Sequence, residues 1–288
     1  MGTEGFDPVQ YKAGVRREWD SVAEGWRKWW PTIEHGAMHC SNTLLEMAGV
    51  GQGHRVLDIA TGTGEPAVTA ARLVGPSGRV VAIDQSPEML AVARSRAEAH
   101  QLRNISFIEM SADAMDLPEN GFDAALCRWG LMFMPDLSGV MDGVRMALMP
   151  GGRFGAAVWG SAPKVPMVSV AFGVIQRLLN PAPPPRGTPS MFSLAEAGLL
   201  EKVFAQAGFT GLRTDRLTVT MEFKSADGYA DFLKDVAAPV SAIINRQPRV
   251  VQDQVWRDIT EAAGRYRGPE GVIRMENEAI CVAGTRPA

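Results

Sequence analysis

RVLDIATGTGEPA, residues 55–67, joins a short β-rich run to a glycine-punctuated turn and then to a helix-forming stretch. Val56, Leu57 and Ile59 supply the strand character. Gly62 and Gly64 supply positions where the backbone can turn tightly and a ligand can lie against bare main chain. Outward from this stretch, β-rich runs at 55–60, 80–84, 105–110, 122–128 and 153–159 alternate with helix-like stretches at 67–74, 87–99 and 137–149. Ser86 can cap orphan amides and Pro87 takes the first helical position, which marks a helix start. Pro150-Gly151-Gly152 marks a stop. Strands alternating with helices predict a doubly wound, mostly parallel sheet with right-handed crossovers.

Past Trp159 the texture changes. Seven prolines between residues 161 and 189 surround one apolar helical stretch and predict a loop-rich insertion. Helical periodicity resumes at 193–207. Leu217, Val219, Met221 and Phe223 then alternate with Thr218, Thr220 and Glu222, the pattern of a half-buried strand. Residues 225–270 read as helical, with Val251, Val255 and Ile259 at four-residue spacing, and a last strand is expected at about 278–283, able to pair with the preceding one. The expected organisation is an N-terminal helical cover (1–39), a core (40–160), a proline-rich insertion (161–192), a core continuation (193–224), a helical lid insertion (225–270) and a last strand with tail (271–288).

The 288 residues suit one large α/β domain with insertions, and 46% apolar with 21% charged residues allow a sizeable core without metal or disulfides. A net charge of −3 gives no basic footprint for nucleic acid. Cys40, Cys127 and Cys281 are far apart and odd in number, against a disulfide framework or a zinc knuckle, and fit a reducing cytoplasm. The N-terminal MGTEGFDPVQYK lacks a leader pattern and no apolar run is long enough to span a membrane, so a soluble cytoplasmic protein without membrane partners is expected.

Gly62-x-Gly64-x-x-Ala67 also satisfies the relaxed dinucleotide fingerprint, with Asp84 twenty residues past Gly64 where an acid grips a ribose. Asp58 argues the other way: a pyrophosphate gains nothing from a negative charge at the strand end, whereas a cationic ligand does. Asp84 serves either ligand, because a carboxylate accepts strong bonds from vicinal hydroxyls. Ser111-Ala112-Asp113-Ala114, after the third strand, places an acceptor and backbone amides where an adenine edge can be read. Plainer roles stand beside these: Asp58 and Asp84 as turn caps, Asp113 as a turn former, Arg128 as a solvated strand-end charge.

VLDIATGTGEPA, VVAIDQSPEML, SADAMDLP, FDAALCRWGLMFMPD and LMPGGRF, in this order across roughly residues 40–160, resemble the class I S-adenosylmethionine-dependent methyltransferases, particularly the branch similar to ubiquinone and menaquinone biosynthesis enzymes. The resemblance implies a Rossmann-like, doubly wound, seven-stranded, mostly parallel sheet with an antiparallel last strand and helical lid insertions. It implies S-adenosyl-L-methionine as cofactor and S-adenosyl-L-homocysteine as product. Asp58, Ala60, Thr61, Gly62 and Gly64 would hold the amino-acid portion, with Asp84 on the ribose. Gln85 and Met89 would border the adenine, Ala112, Asp113 and Ala114 would frame it, and Arg128 would approach the methionine part. Ala60 departs from a position where the family often has glycine.

Tyr11, Val15, Trp19, Val22, Trp26, Trp29 and Trp30 lie at helical spacing and make one mostly aromatic face, which Pro31 is expected to end. The stripe reads as packing or as a cover over the transfer site, with Trp30 the candidate neighbour of a sulfonium cation. His35 and His39 share a helical side, but Gly36 stands where a metalloprotease carries its glutamate and no third ligand is evident, so no metal is expected. His35 is the general-base candidate beside a plain polar role. Met132, Phe133 and Met134 read either as lining of an apolar acceptor pocket or as helix packing. The expected partner is a small, hydrophobic or aromatic methyl acceptor, with oxygen or carbon favoured over nitrogen, and the sequence is compatible with a homodimer. A quinone-pathway C-methyltransferase is the narrower alternative. A non-catalytic cofactor-binding subunit and a nicotinamide enzyme are the others, and arsenite methylation ranks low for want of a telling cysteine spacing.

Overall fold

Seven strands, β1 (Arg55–Ile59), β2 (Arg79–Asp84), β3 (Ile105–Glu109), β4 (Phe122–Arg128), β5 (Leu148–Trp159), β6 (Thr210–Phe223) and β7 (Ile273–Thr285), form one sheet in the order β3-β2-β1-β4-β5-β7-β6. The computed structural model describes residues 6–288, so the first five residues of the stretch read for a leader lie outside the described residues. The pairs β1–β2, β1–β4, β2–β3 and β4–β5 are parallel. β7 runs antiparallel to β5, with Arg153 opposite Thr285 and Trp159 opposite Ala279. This is the expected Rossmann-like sheet. Val56, Leu57, Ile59, Val80, Ala82 and Ile83 are fully buried, as strands covered on both faces must be.

The helices between these strands are α2 (Ala67–Val74), α3 (Pro87–Ala99) and α4 (Leu137–Ala147). The side chain of Ser86 caps α3 by accepting from the Met89 amide at 3.1 Å, and Asp136 caps α4 by accepting from the Gly139 amide at 3.0 Å. α4 stops two residues short of the expected end because Pro150 disfavours helical backbone at Met149, and β5 starts at Leu148. Two other strands begin earlier than the alternation suggests. The first half of β6 is exposed and carries Arg213, Asp215 and Arg216, the charged dress of an edge. In β7, Asn277 holds a fully buried position and interrupts the apolar pattern. The helix expected over 193–207 is only α6 (Leu199–Gln206), because Gly198 before it takes left-handed backbone at φ +79.

The chain divides into two compact units. The sheet unit comprises Met38–Gly160, Pro189–Leu217 and Ala279–Ala288. Its core stacks Phe154 on Phe204 at 5.0 Å, and a Cβ added to Gly155 would sit 3.2 Å from the Leu44 carbonyl, so bare backbone lets the last turns of α1 (Pro8–Met47) approach β5.

The helical unit comprises Met1–Ala37, Ser161–Thr188 and Thr218–Glu278, and holds α5 (Pro166–Leu179), α7 (Ala226–Val236), α8 (Ala238–Asn245) and α9 (Arg249–Ala263). α1 runs unbroken through Pro31, where the sequence predicts a stop. Packing overrides the missing amide. Trp26 and Trp29 anchor the turns before Pro31 to the end of α7, with Nε1 donating to the Val236 carbonyl at 3.3 Å and to Asp235 Oδ2 at 2.7 Å. Ile33 and Ala37 are buried just after it. Gly25 and Gly36 approach so closely that an added Cβ would clash with the Asp235 carbonyl and, at 2.5 Å, with the Thr220 carbonyl. Trp29 meets Phe232 edge-on at 5.5 Å, and each such pair contributes about 0.5–1.5 kcal/mol. Among the described residues no helix is long and apolar enough to cross a membrane.

Candidate functional site

β1 and β4 are neighbours whose chain connections leave in opposite directions, the topological switch point at which open α/β sheets bind ligands. Asp58 stands near the carboxyl end of β1, opposite Leu126, and Arg128 ends β4. Between β1 and α2 the chain turns through three left-handed residues, Ala60 (φ +54), Gly62 (φ +54) and Gly64 (φ +99). The Thr61 amide donates to the Ile83 carbonyl at 3.0 Å and the Gly64 amide to the Thr61 carbonyl at 2.9 Å. The two glycines do different work. A Cβ on Gly64 would lie 3.1 Å from Ala93, so this glycine lets the turn lean on α3. A Cβ on Gly62 would meet nothing within 4 Å, so its bare backbone faces open space. Arg96 ties the turn down through the Thr63 carbonyl and a largely buried ion pair with Glu65 at 3.3 Å.

Ala60 is tolerated in left-handed backbone because of what faces it. A Cβ on Gly130 would come within 2.7 Å of the Ala60 methyl, so the side chain missing at Gly130 makes the room.

Asp84 has a structural duty within the chain. Its Oδ2 accepts from the Gly62 amide at 2.8 Å and its Oδ1 from the Ser86 amide at 2.9 Å, so it fixes both the glycine turn and the entry to α3. A carboxylate accepts about four hydrogen bonds, so this duty is compatible with binding hydroxyls. The Met110 amide donates to the Asp84 carbonyl at 2.9 Å, which joins the ends of β2 and β3. Gln85 is half-buried, Met89 and Ala112 are buried, Ala114 is exposed, and the Ser111 hydroxyl donates to Asp113 Oδ1 at 2.6 Å.

Asp58 is fully buried, and neither carboxylate oxygen has a hydrogen-bond partner. Burial pushes its carboxyl up to about 7. The Thr61 hydroxyl, Arg128 and the Ala67 amide lie near enough to oppose part of that rise without closing a bond, and Glu65 adds to it. Burial, and then the Asp58 charge, likewise push the Cys127 thiol up to about 12. Arg128 is not a solvated strand-end charge. Its Nη1 donates to Ser41 at 2.7 Å, its guanidinium lies 4.7 Å from the Trp129 ring centroid, and its Nε is buried without a partner. Thr61 Oγ1 and Trp129 Nε1 are buried and unpartnered too. Each such group costs about 1–3 kcal/mol unless something completes it.

Twelve of the sequence-derived candidates, Asp58, Ala60, Thr61, Gly62, Gly64, Asp84, Gln85, Met89, Ala112, Asp113, Ala114 and Arg128, therefore lie in the sheet unit, in or just after β1 to β4. Trp30 and His35 lie in the helical unit on α1, Trp30 half-buried and His35 exposed. Ser41, Trp129 and Trp159 escape the sequence reading. No spacing announces that Trp129, placed directly after β4, has left-handed backbone at φ +61, or that Ser41 reaches Arg128 from 87 positions away. Among the described residues no group of three or more His, Cys, Asp or Glu is placed to hold a metal ion.

Residues 51–161 match the family model of a methyltransferase domain. A ubiquinone/menaquinone biosynthesis C-methyltransferase UbiE of Hahella chejuensis is 38% identical over 131 residues, which is 45% of this chain and 52% of that protein. One from Ectopseudomonas oleovorans is 38% identical over 121 residues, 41% of this chain and 71% of that protein. The chain spans about half the length of most of the curated relatives it matches. Phosphoethanolamine N-methyltransferase 2 of Haemonchus contortus, solved with phosphomonomethylethanolamine and S-adenosylhomocysteine, superposes with a TM-score of 0.56 at 16% identity over 93% of this chain and 58% of that one, a likeness of fold.

S-adenosylmethionine carries an ammonium, a carboxylate, a ribose diol and an adenine. The unpartnered oxygens of Asp58, the unpartnered Nε of Arg128 and the open side of Gly62 fit such a group. The chain belongs to the class I S-adenosylmethionine-dependent methyltransferases, a family in which its matched core is similar to the ubiquinone and menaquinone biosynthesis C-methyltransferases.

Proposed function

We propose that this chain transfers the methyl group of S-adenosylmethionine to a small, hydrophobic or aromatic acceptor, at oxygen or carbon. The observation that carries the reading is the Asp58 carboxylate, fully buried beside the glycine turn with both oxygens unpartnered and the Arg128 guanidinium near it. Asp58, with the turn through Ala60, Thr61, Gly62 and Gly64, would hold the ammonium end and Arg128 the carboxylate. Asp84 would hold the ribose, Gln85 and Met89 would border the adenine, and Ala112, Asp113 and Ala114 would frame it.

When bound, S-adenosylmethionine supplies a methyl already activated by a positive sulfur. The chain then has to orient an acceptor and exclude water. Orientation of this kind is worth on the order of 7–11 kcal/mol in favourable intramolecular systems. Phe133 and Met134, half-buried just past β4, support an apolar acceptor, whereas Met132 is buried in the core. A narrower reading, a menaquinone- or ubiquinone-pathway C-methyltransferase, is supported by the curated relatives of that name, whose likeness covers less than half of this chain.

The test is transfer from methyl-labelled S-adenosylmethionine to a panel of phenols, quinols and amines, and to cell extract. Labelled phenol or quinol is the expected product. The His35→Gln variant asks whether the histidine on α1 takes the acceptor proton: a kcat lowered by about a hundredfold or more, with S-adenosylhomocysteine affinity unchanged, supports that role. Binding of S-adenosylhomocysteine without transfer to any acceptor would replace this reading with a cofactor-binding subunit.

A further inference from the structure

Trp129 follows Arg128 directly at the end of β4, and both faces of its ring are taken. Trp159 stacks on it with centroids 4.2 Å apart and planes 13° from parallel, and the Arg128 guanidinium lies 4.7 Å from its centroid. A ring covered by a parallel indole on one side receives a guanidinium only on the other. No face is left for a substrate to stack on, so what Trp129 can still offer is its edge.

That edge carries Nε1, buried and without a hydrogen-bond partner. Indole nitrogen only donates, so its missing partner is an acceptor. The Nε of Arg128 is a second buried donor without a partner, while Nη1 of the same guanidinium is engaged by Ser41 at 2.7 Å. Two unused donors thus come from consecutive residues and are held in one stack. The Trp129 backbone fixes that stack further: it is left-handed at φ +61, and its amide donates to the Ala157 carbonyl at 2.8 Å. Asp58 lies near enough to Arg128 to feel its charge but bonds to neither donor, and its own oxygens stay unpartnered. One ligand end completes all of these groups: an ammonium for Asp58, and beside it a carboxylate with two oxygens for two donors.

We infer that the indole N–H of Trp129, together with Arg128 Nε, forms a two-donor clamp for the carboxylate of the bound S-adenosyl ligand. The inference rests on the cofactor reading above and adds a residue to it. Its test replaces Trp129 by benzothienylalanine, which keeps the shape of the ring and its stack but puts sulfur in place of the N–H. Trp129→Phe serves as a second variant. Calorimetric titration with S-adenosylhomocysteine is set beside titration with methylthioadenosine, which shares the adenosine and the sulfur but lacks the amino-acid end. Loss of a hydrogen bond to a charged group predicts at least about tenfold weaker S-adenosylhomocysteine binding, with methylthioadenosine unchanged. Unchanged S-adenosylhomocysteine affinity, or equal losses for both ligands, overturns the clamp. A wild-type chain that binds neither ligand overturns the cofactor reading itself, which keeps the two failures apart.

Discussion

The helical unit and the sheet unit both place tryptophan and charged side chains inside the protein, and they treat the polar atoms in opposite ways. In the helical unit the indole nitrogens of Trp26 and Trp29 donate to the Val236 carbonyl and to Asp235, and Tyr229 donates to the Met167 carbonyl at 2.9 Å. Asn277, fully buried, accepts from the Met167 amide at 2.9 Å and donates to the Val219 and Met275 carbonyls at 3.0 and 2.9 Å. Burial pushes the Asp235 carboxyl up, but Lys28 and Trp29 more than offset this and hold it below the usual range. In the sheet unit Asp58, Thr61, Arg128 and Trp129 keep buried polar atoms without partners, next to a turn whose Gly62 opens onto empty space. A completed polar interior is scaffold. An incomplete one, clustered at a switch point, is the observation that supports the proposed cofactor site.

The largest expected effect tests the completed side. Asn277→Ala leaves a half-buried amide and two buried carbonyls without this partner and should lower unfolding free energy by about 3 kcal/mol or more, read from the denaturant midpoint. A loss below about 1 kcal/mol would break the comparison.

Asp58→Asn tests the incomplete side with the opposite sign. S-adenosylhomocysteine binding should weaken by about 2–3 kcal/mol, roughly a hundredfold, because the ammonium loses a charged acceptor. The unliganded protein should gain stability. A carboxyl at about 7 when folded lies above its unfolded value of about 3.9, so the folded chain binds more protons, and stability falls as pH rises from about 4 through 7. The ionised group costs on the order of a few kcal/mol above that window. Melting temperatures of the wild type should therefore fall between about pH 4 and 7, and the asparagine variant should lose that component. An unchanged slope would show that Asp58 is already compensated within the chain.

Smaller changes sharpen the contrast. Trp29→Phe keeps a ring against Phe232 but removes the bond to Asp235, which Lys28 still holds at 2.7 Å; a loss of about 1–2 kcal/mol in thermal or chemical unfolding is expected. Ala60→Gly should stabilise by about 0.5–1 kcal/mol, since glycine bears no penalty at φ +54, and should leave S-adenosylhomocysteine affinity within about twofold.

Much of this molecule is legible in one dimension because its signals are local. Strand–turn–helix alternation, the cap at Ser86 and the stop at Pro150 are written in neighbouring residues, and they mark β1 to β5 and the helices between them within a few positions. Asp58, the glycine turn and Asp84 are legible because the family motif keeps them in a short window. The Pro31 stop fails because local propensity is overruled by anchors on α7, about two hundred positions away. The start of β7 is hidden because Asn277 occupies a core position whose partners come from 58 and 110 positions off.

By itself, then, the sequence determined the sheet, its winding, the family and the glycine turn after β1, all of which rest on patterns of two to about twenty residues. Only the tertiary structure decided which buried polar atoms are completed. That includes the Ser41 anchor of Arg128, the Gly130 space opposite Ala60, and the stack that leaves the Trp129 edge as its one unused function. The reason is physical: whether a hydrogen-bonding group is satisfied depends on groups brought within about 3 Å in space, a property that separation along the chain does not carry.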